Sequence, residues 1–120
     1  MYNYYSYRVV RSLMMNLNIK KLSSKIRIIF IDDDRIDVTN LKEVQVLLSP
    51  YVQEIQDSTL DELELDFTSI NFIDSSGLAM IINIYKTLLA KNQNLSIVNS
   101  GSFVQEIFNV TKLDTFIKLR

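Results

Sequence analysis

The segment Phe72-Ile73-Asp74-Ser75-Ser76-Gly77-Leu78 brings a carboxylate, two hydroxyls and a glycine into one short stretch. Two kinds of chemistry suit such a set. A serine can act as a nucleophile, or it can accept a phosphoryl group from another protein. The first needs a base beside the hydroxyl, and the chain has neither His nor Cys. No Ser-His-Asp or Cys-His system can therefore be assembled, no disulfide framework is possible, and the ordinary zinc ligand sets are missing. Residue pattern alone favours helix capping, because Ser-Ser-Gly before an apolar helix is ordinary capping chemistry. Modification of a hydroxyl is the competing reading.

A second acidic cluster, Asp32-Asp33-Asp34, invites a magnesium site of the kind found in response-regulator receivers. That scheme requires an acceptor aspartate on the third strand of a strictly alternating parallel sheet, with a lysine downstream. Asp66 and Lys118 are the available residues, and Asp66 follows the acidic run after only one helix. Order and spacing disagree, so the run reads as a solvated turn and no metal or cofactor is expected. Thirteen basic residues stand against 14 acidic ones, which leaves no basic field for nucleic acid. No apolar run reaches the length of a membrane span and no signal-peptide core is present. A cytoplasmic protein is the expectation.

The elements that position the Asp74 turn follow from periodicity. Leu63, Leu65 and Phe67 alternate with Glu64 and Asp66, the period of a half-buried strand. Leu78, Ile81, Ile82, Tyr85, Leu88 and Leu89 define one stripe of a helix running to about Lys91. The turn therefore lies at a helix N-terminus, where unpaired N–H groups and the helix dipole favour negative charge. Met80 and Ile84 fall off that stripe and either widen the core face or form an exposed apolar patch beside Ser75. Gly77 in a first helical turn costs stability unless another backbone approaches it.

Elsewhere, Asn16 to Ile31 predicts a hairpin turning at Ser23-Ser24, and the run Ile28 to Ile31 suggests a strand covered on both faces. Asp37-Val38-Thr39-Asn40 offers three N-cap candidates, Asp37, Thr39 and Asn40. The following helix carries Leu41, Val44, Leu48, Tyr51, Val52 and Ile55, with a kink or break expected between Val46 and Pro50. Leu95–Val98 predicts a strand. A helix with Phe103, Val104, Ile107 and Phe108 should follow Ser100-Gly101-Ser102, and Lys112 to Leu119 suggests a short edge strand. The order ββαβαβα(β) predicts an α/β domain with a mixed sheet. Residues 1–14 carry Tyr2, Tyr4, Tyr5, Tyr7, Arg8 and Arg11 without an acid. They read as a disordered leader, upstream of a start at Met14 or Met15, or else as a basic aromatic arm. Residues 15–120 make one domain, expected to be a monomer or weak dimer.

Asp37-Val38-Thr39-Asn40, the strand and turn Leu63–Ile73, Asp74-Ser75-Ser76-Gly77-Leu78 and Ile84-Tyr85-Lys86 together resemble the STAS domain of bacterial anti-sigma factor antagonists. Leu95–Asn99 and Val110-Thr111-Lys112-Leu113 extend the resemblance, from about Asn16 to the C-terminus. It implies a STAS-like fold, an N-terminal hairpin followed by parallel strands with helices packed against the sheet. It implies a non-enzymatic partner-switching protein in which Ser75 is the phosphorylation site. The unphosphorylated form would bind an anti-sigma factor that is itself a serine kinase, freeing a sigma factor, and a serine phosphatase would restore it. Asp37, Asn40, Asp74, Ser76, Gly77, Met80 and Ile84 are the expected partner-binding residues around Ser75. The other implied class is a STAS scaffold or accessory subunit, stressosome-like or of the ABC lipid-transporter type, without a kinase switch. Two departures from the family pattern have physical consequences. Ala79 replaces a frequent glycine and strengthens its helix, and Lys112 stands where a glycine would more easily take a left-handed helix cap.

Overall fold

The computed structural model describes the backbone of residues 4–11 and all of residues 15–120. Among the described residues, eight strands and three α-helices follow one another: β1 Tyr4–Arg11, β2 Asn16–Leu22, β3 Lys25–Phe30, β4 Arg35–Ile36, α1 Leu41–Gln56, β5 Glu62–Asp66, β6 Phe72–Ile73, α2 Ser75–Leu89, β7 Asn94–Val98, α3 Ser102–Val110 and β8 Lys118–Leu119, with a 3₁₀ turn at Leu113–Thr115 before β8. Six strands form one sheet in the order β1-β2-β3-β5-β7-β8. The pairs β1–β2 and β2–β3 are antiparallel, and β3–β5, β5–β7 and β7–β8 are parallel. This is the expected mixed sheet with an N-terminal hairpin. The short strands β4 and β6 pair in parallel as a separate ribbon, Arg35 beside Phe72 and Ile36 beside Ile73.

Register explains why one face of the sheet is dry. Ile26, Leu63 and Leu95 lie abreast on β3, β5 and β7, and Ile28, Leu65 and Ile97 form the next row. All six are buried. Side chains alternate across a strand, so these rows face α1 and α2, while the intervening residues face away. Phe30 and Phe67 close the core edge-to-face, with ring centroids 5.8 Å apart.

The opposite face carries a row of charge, with Arg27, Glu64 and Ser96 abreast. Glu64 is only 1% exposed yet lies on this polar face. Arg27, Lys25 at 3.2 Å and Arg120 at 2.7 Å surround its carboxylate. Burial alone would raise its pKa, but the Arg27 and Lys25 hydrogen bonds and charges outweigh that and hold it below the usual range. Long cationic side chains thus roof this face in place of helices. The expectation of a β3 covered on both sides fails for that reason: Ile29 is half-buried and Ile31 is 40% exposed.

Three further differences have plain causes. Tyr4–Arg11, within the stretch expected to be a leader or a basic arm, form β1 along the outer edge of β2. A free strand edge presents unpaired N–H and C=O groups, and an extended neighbour satisfies them. Residues 1–3 and 12–14 lie outside the described residues. The helix α1 runs through Pro50 without ending. Both Pro50 and Val46, whose carbonyl loses its partner, are exposed, so water can serve that carbonyl while Val44, Leu48, Tyr51 and Ile55 bury the other side. The buried arc of α2 is rotated from the expected stripe. Gly77, Met80, Ile81 and Leu88 are buried, whereas Leu89 is 47% exposed.

Lys112, just past the end of α3, has φ 63°, the left-handed region. There the lysine Cβ crowds the following carbonyl, and glycine would not. Replacing Lys112 with Gly is expected to raise the unfolding free energy by about 1 kcal/mol. Thermal or urea denaturation of the two proteins measures it.

Candidate functional site

The N-terminus of α2 is built around Asp74. Its backbone is extended (φ −102°, ψ −176°), and its side chain caps the helix. Oδ1 accepts the Gly77 N–H at 2.9 Å and the Ser76 hydroxyl at 2.7 Å. Oδ2 accepts the Val38 N–H at 3.0 Å, reaching across to the loop between β4 and α1. One carboxylate thus ends a helix and holds a neighbouring loop. The Ser76 hydroxyl, the Gly77 N–H and the Val38 N–H hold its pKa below the usual carboxylate value. The cap is Asp74 rather than Ser76, because an Asp with extended backbone directly before the helix reaches the third helical N–H, and Ser76 already lies inside the first turn.

Ser75 occupies the first helical position and is exposed, and its hydroxyl has no hydrogen-bond partner among the described residues. Adjacent serines therefore differ sharply. The Ser76 hydroxyl is committed to Asp74, and the Ser75 hydroxyl is available to a second molecule.

Gly77 explains how the turn comes so close to the β4–β6 ribbon. A Cβ at this position would fall 2.7 Å from the Ile36 carbonyl oxygen and 2.7 Å from a side-chain carbon of Ile73. The Ile36 carbonyl also accepts the Asp74 N–H at 3.3 Å. The backbone approach expected at this glycine is present, and the approaching strand is β4.

The β4–α1 loop has its own internal bonds. Asp37 is buried, and its Oδ1 accepts the Thr39 N–H at 2.9 Å and the Thr39 hydroxyl. Asn40 stands at the N-cap of α1 without capping it. Its Oδ1 accepts the Asp37 N–H at 3.0 Å and its Nδ2 donates to the Arg35 carbonyl at 2.8 Å. Both residues shape the loop that Asp74 grips. Val38, at the tip, is 73% exposed.

The expected partner-binding residues thus divide. Asn40, Asp74, Ser76 and Ile84 keep part of their surface. Asp37, Gly77 and Met80 are buried. Met80 is 4% exposed and widens the core face, because α1 packs along that side of α2. Sequence reasoning missed three exposed residues beside the turn. Phe72 and Phe103 are 38% and 40% exposed and stack with ring centroids 5.5 Å apart. The Arg35 guanidinium lies 5.9 Å from the Phe72 ring centroid. Phe72 stood in the sequence as an unpaired aromatic just before the buried Ile73, which was the available signal.

The acidic run has a different fate. Asp33 is half-buried, and burial followed by the charges of Asp32, Glu43 and Asp34 raises its pKa. No group of three or more acidic residues is arranged to hold a metal ion among the described residues. Asp66 accepts the Thr68 N–H at 2.9 Å, the Thr68 hydroxyl at 2.6 Å and the Asn99 amide at 3.0 Å, which fixes the loop after β5.

Comparison with known proteins places this architecture. The family described as STAS domain matches residues 18–120. An anti-sigma-B factor antagonist of Listeria monocytogenes is 25% identical over 93 residues, covering 74% of this chain and 82% of the relative. An anti-sigma factor antagonist from Mycobacterium paratuberculosis superposes with TM-score 0.70 at 16% identity, over 95% of this chain and 85% of the other. The Bacillus cell fate determinant SpoIIAA in its phosphorylated form superposes with TM-score 0.58 at 12% identity, over 96% and 91%. The structural likenesses concern the fold.

Two substitutions test the site's construction. Gly77→Ala gains up to about 1 kcal/mol of helix propensity but overpacks against Ile36 at a cost of about 1–3 kcal/mol. A net loss of stability is expected in thermal denaturation, and a neutral or stabilising result would refute the close approach. Asp74→Asn keeps an acceptor for Gly77 but turns a donor toward the Val38 N–H. Because the folded pKa of Asp74 is depressed, its stabilisation is present above the ordinary carboxylate value of about 4 and is lost as pH falls through the lower folded value. The variant should unfold at lower temperature at neutral pH and lose less stability than the parent on acidification below about pH 4. Melting curves across that range read both effects.

Proposed function

The chain belongs to the STAS domain family, and from that premise we propose that it is an anti-sigma factor antagonist switched by phosphorylation at Ser75. In the unmodified state it binds an anti-sigma factor with serine kinase activity, and a sigma factor is released. The reading is supported by the name of the Listeria relative and by the phosphorylated form of the Bacillus structural neighbour. The observation that carries it is the contrast between the exposed, unengaged hydroxyl of Ser75 and the committed hydroxyl of Ser76.

The chemistry needs nothing catalytic from this chain. The Ser75 Oγ attacks the γ-phosphorus of the kinase's ATP, the bond to the β-phosphate oxygen breaks, and ADP leaves. The hydroxyl proton passes to a base of the kinase. The phosphoester adds about −1.5 to −2 charges at neutral pH. The positive end of α2 accepts that charge, and Asp74 opposes it from the preceding residue. The domain stays folded because Ser75 takes no part in the core. What changes is the surface, since a partner that buried a neutral hydroxyl must now desolvate a dianion. A serine phosphatase reverses the step by hydrolysis. No helix among the described residues is long and apolar enough to cross a membrane, and the exchange is assigned to the cytoplasm, without direct contact to nucleic acid.

The test is capture from the source cell by the parent protein, Ser75→Ala and Ser75→Asp, followed by phosphorylation with the captured kinase and ATP. The first two should retain a serine kinase and the third should lose it. Ser76→Ala should still take phosphate on Ser75, and Ser75→Ala should take none. Phosphate at another residue would overturn the site. Retention of an ATPase or permease by all three proteins would replace the switch with the scaffold or transporter-subunit reading.

A further inference from the structure

The two serines of the turn share one electrostatic setting and differ in one bond. Ser75 and Ser76 are the first and second residues of α2, so the helix dipole favours negative charge on both. What separates them is the Asp74 carboxylate. Its Oδ1 takes the Ser76 hydroxyl at 2.7 Å and the Gly77 N–H at 2.9 Å, while Oδ2 takes the Val38 N–H at 3.0 Å. Ser76 is half-buried with its hydroxyl turned toward Asp74, and Ser75 is exposed with its hydroxyl unengaged among the described residues. A carboxylate this close to a hydroxyl can have either of two effects. It can draw off the proton and activate the oxygen, or it can hold the hydroxyl out of reach. The donors gathered on Asp74 hold its pKa below the ordinary carboxylate value, which makes it a weak base. The holding role is the one this geometry supports.

We propose that Asp74 is the positioning residue that selects Ser75 over Ser76 as phosphate acceptor, by holding the Ser76 hydroxyl in a hydrogen bond. This rests on the Ser75 reading and adds what confines the modification to one of two adjacent hydroxyls. To attack a γ-phosphorus, the Ser76 Oγ must rotate away from Asp74 Oδ1 and break a hydrogen bond to a charged group. At the usual strength of such a bond, the engaged hydroxyl is weakened roughly ten- to hundredfold as an acceptor. The product is opposed as well. A phosphate on Ser76 would attach to the same oxygen that lies 2.7 Å from Asp74 Oδ1, and set a dianion against that carboxylate. On Ser75 the phosphate is carried at an exposed position instead.

Phosphate mapping with the kinase captured from the source cell and ATP tests this on the parent, Ser75→Ala, and Ser75→Ala combined with either Asp74→Ala or Asp74→Asn. The parent should carry phosphate on Ser75, and Ser75→Ala should carry almost none. Adding Asp74→Ala should raise modification at Ser76 by at least about tenfold. In that step Ser76 Oγ bonds the γ-phosphorus, the bond to the β-phosphate oxygen breaks, ADP leaves and the hydroxyl proton passes to the kinase's base. Asp74→Asn keeps an oxygen acceptor for Ser76 while disturbing the Val38 contact, so its double variant should stay largely unmodified. Equal gains in the two double variants would overturn the hydrogen bond as the cause. A kinase-free measurement stands beside the mapping, whatever the Asp74→Ala proteins do to folding. Proton couplings in NMR should show one Ser76 side-chain rotamer in the parent and in Asp74→Asn, and an averaged Ser76 in the parent would overturn the proposal. Phosphate on Ser76 in the parent or in Ser75→Ala would make Asp74 an activator and overturn it too. Phosphate on Ser75 of the parent, with no gain at Ser76 once Asp74→Ala is added, removes the selection and keeps the Ser75 reading. No phosphate on any of the four proteins removes the Ser75 reading and the selection with it.

Discussion

The close approach of β4 to the first turn of α2 is the constraint on which the site depends. It is possible because Gly77 has no Cβ where the Ile36 carbonyl and the Ile73 side chain converge. That contact sets the distance between two loops that the chain separates by a full helix. At this spacing the Asp74 carboxylate can cap α2 with one oxygen and hold the Val38 N–H with the other. The Ser75 turn and the β4–α1 loop are thereby held together. Ser75 is exposed on the turn, while the Asp74 carboxylate and the Ser76 hydroxyl are paired inside the fold.

The rest of the domain supports that surface by burying its own polarity elsewhere. On the face of the sheet away from the helices, Glu64 is enclosed by Arg27, Lys25 and Arg120, which keeps it charged despite burial. Such a cluster needs every partner, since a lone buried carboxylate would be strongly destabilising. Asp66 and Gln93 perform similar work at loop ends. Asp66 holds Thr68 and Asn99, and Gln93 donates to the Ile55 and Leu60 carbonyls at 2.7 and 3.0 Å. A scaffold with its loops tied in this manner can gain a surface charge without losing its shape. That is what a switch based on recognition, rather than on refolding, requires.

Much of the architecture was legible in the sequence. Alternation at Leu63, Leu65 and Phe67, the apolar face of α1 and the Asp74 turn all survive in the structure, because local periodicity and capping act over a few residues. The misreadings share a different cause. Pro50 reads as a helix breaker until its solvent position is known, and Leu89 reads as core until α2 is seen packed on α1 through Met80. Asn40 reads as a cap until Arg35 and Asp37 are found within its reach. For Pro50 and Leu89 the deciding fact is exposure or a neighbour distant in sequence, and for Asn40 it is the fold of its own loop.

The sequence by itself determined the class of chemistry. Without His or Cys, Ser75 and Ser76 could cap or be modified but lacked the usual base of a nucleophile system. It also placed them at the start of a helix. Only the tertiary structure distinguished the two hydroxyls, because Asp74 engages that of Ser76 once β4 fixes the turn. It alone brought Phe72 and Phe103 together, 31 residues apart in the chain, and left them uncovered. Composition limits what side chains can do. Which of them remain free to do it depends on the contacts that folding uses up.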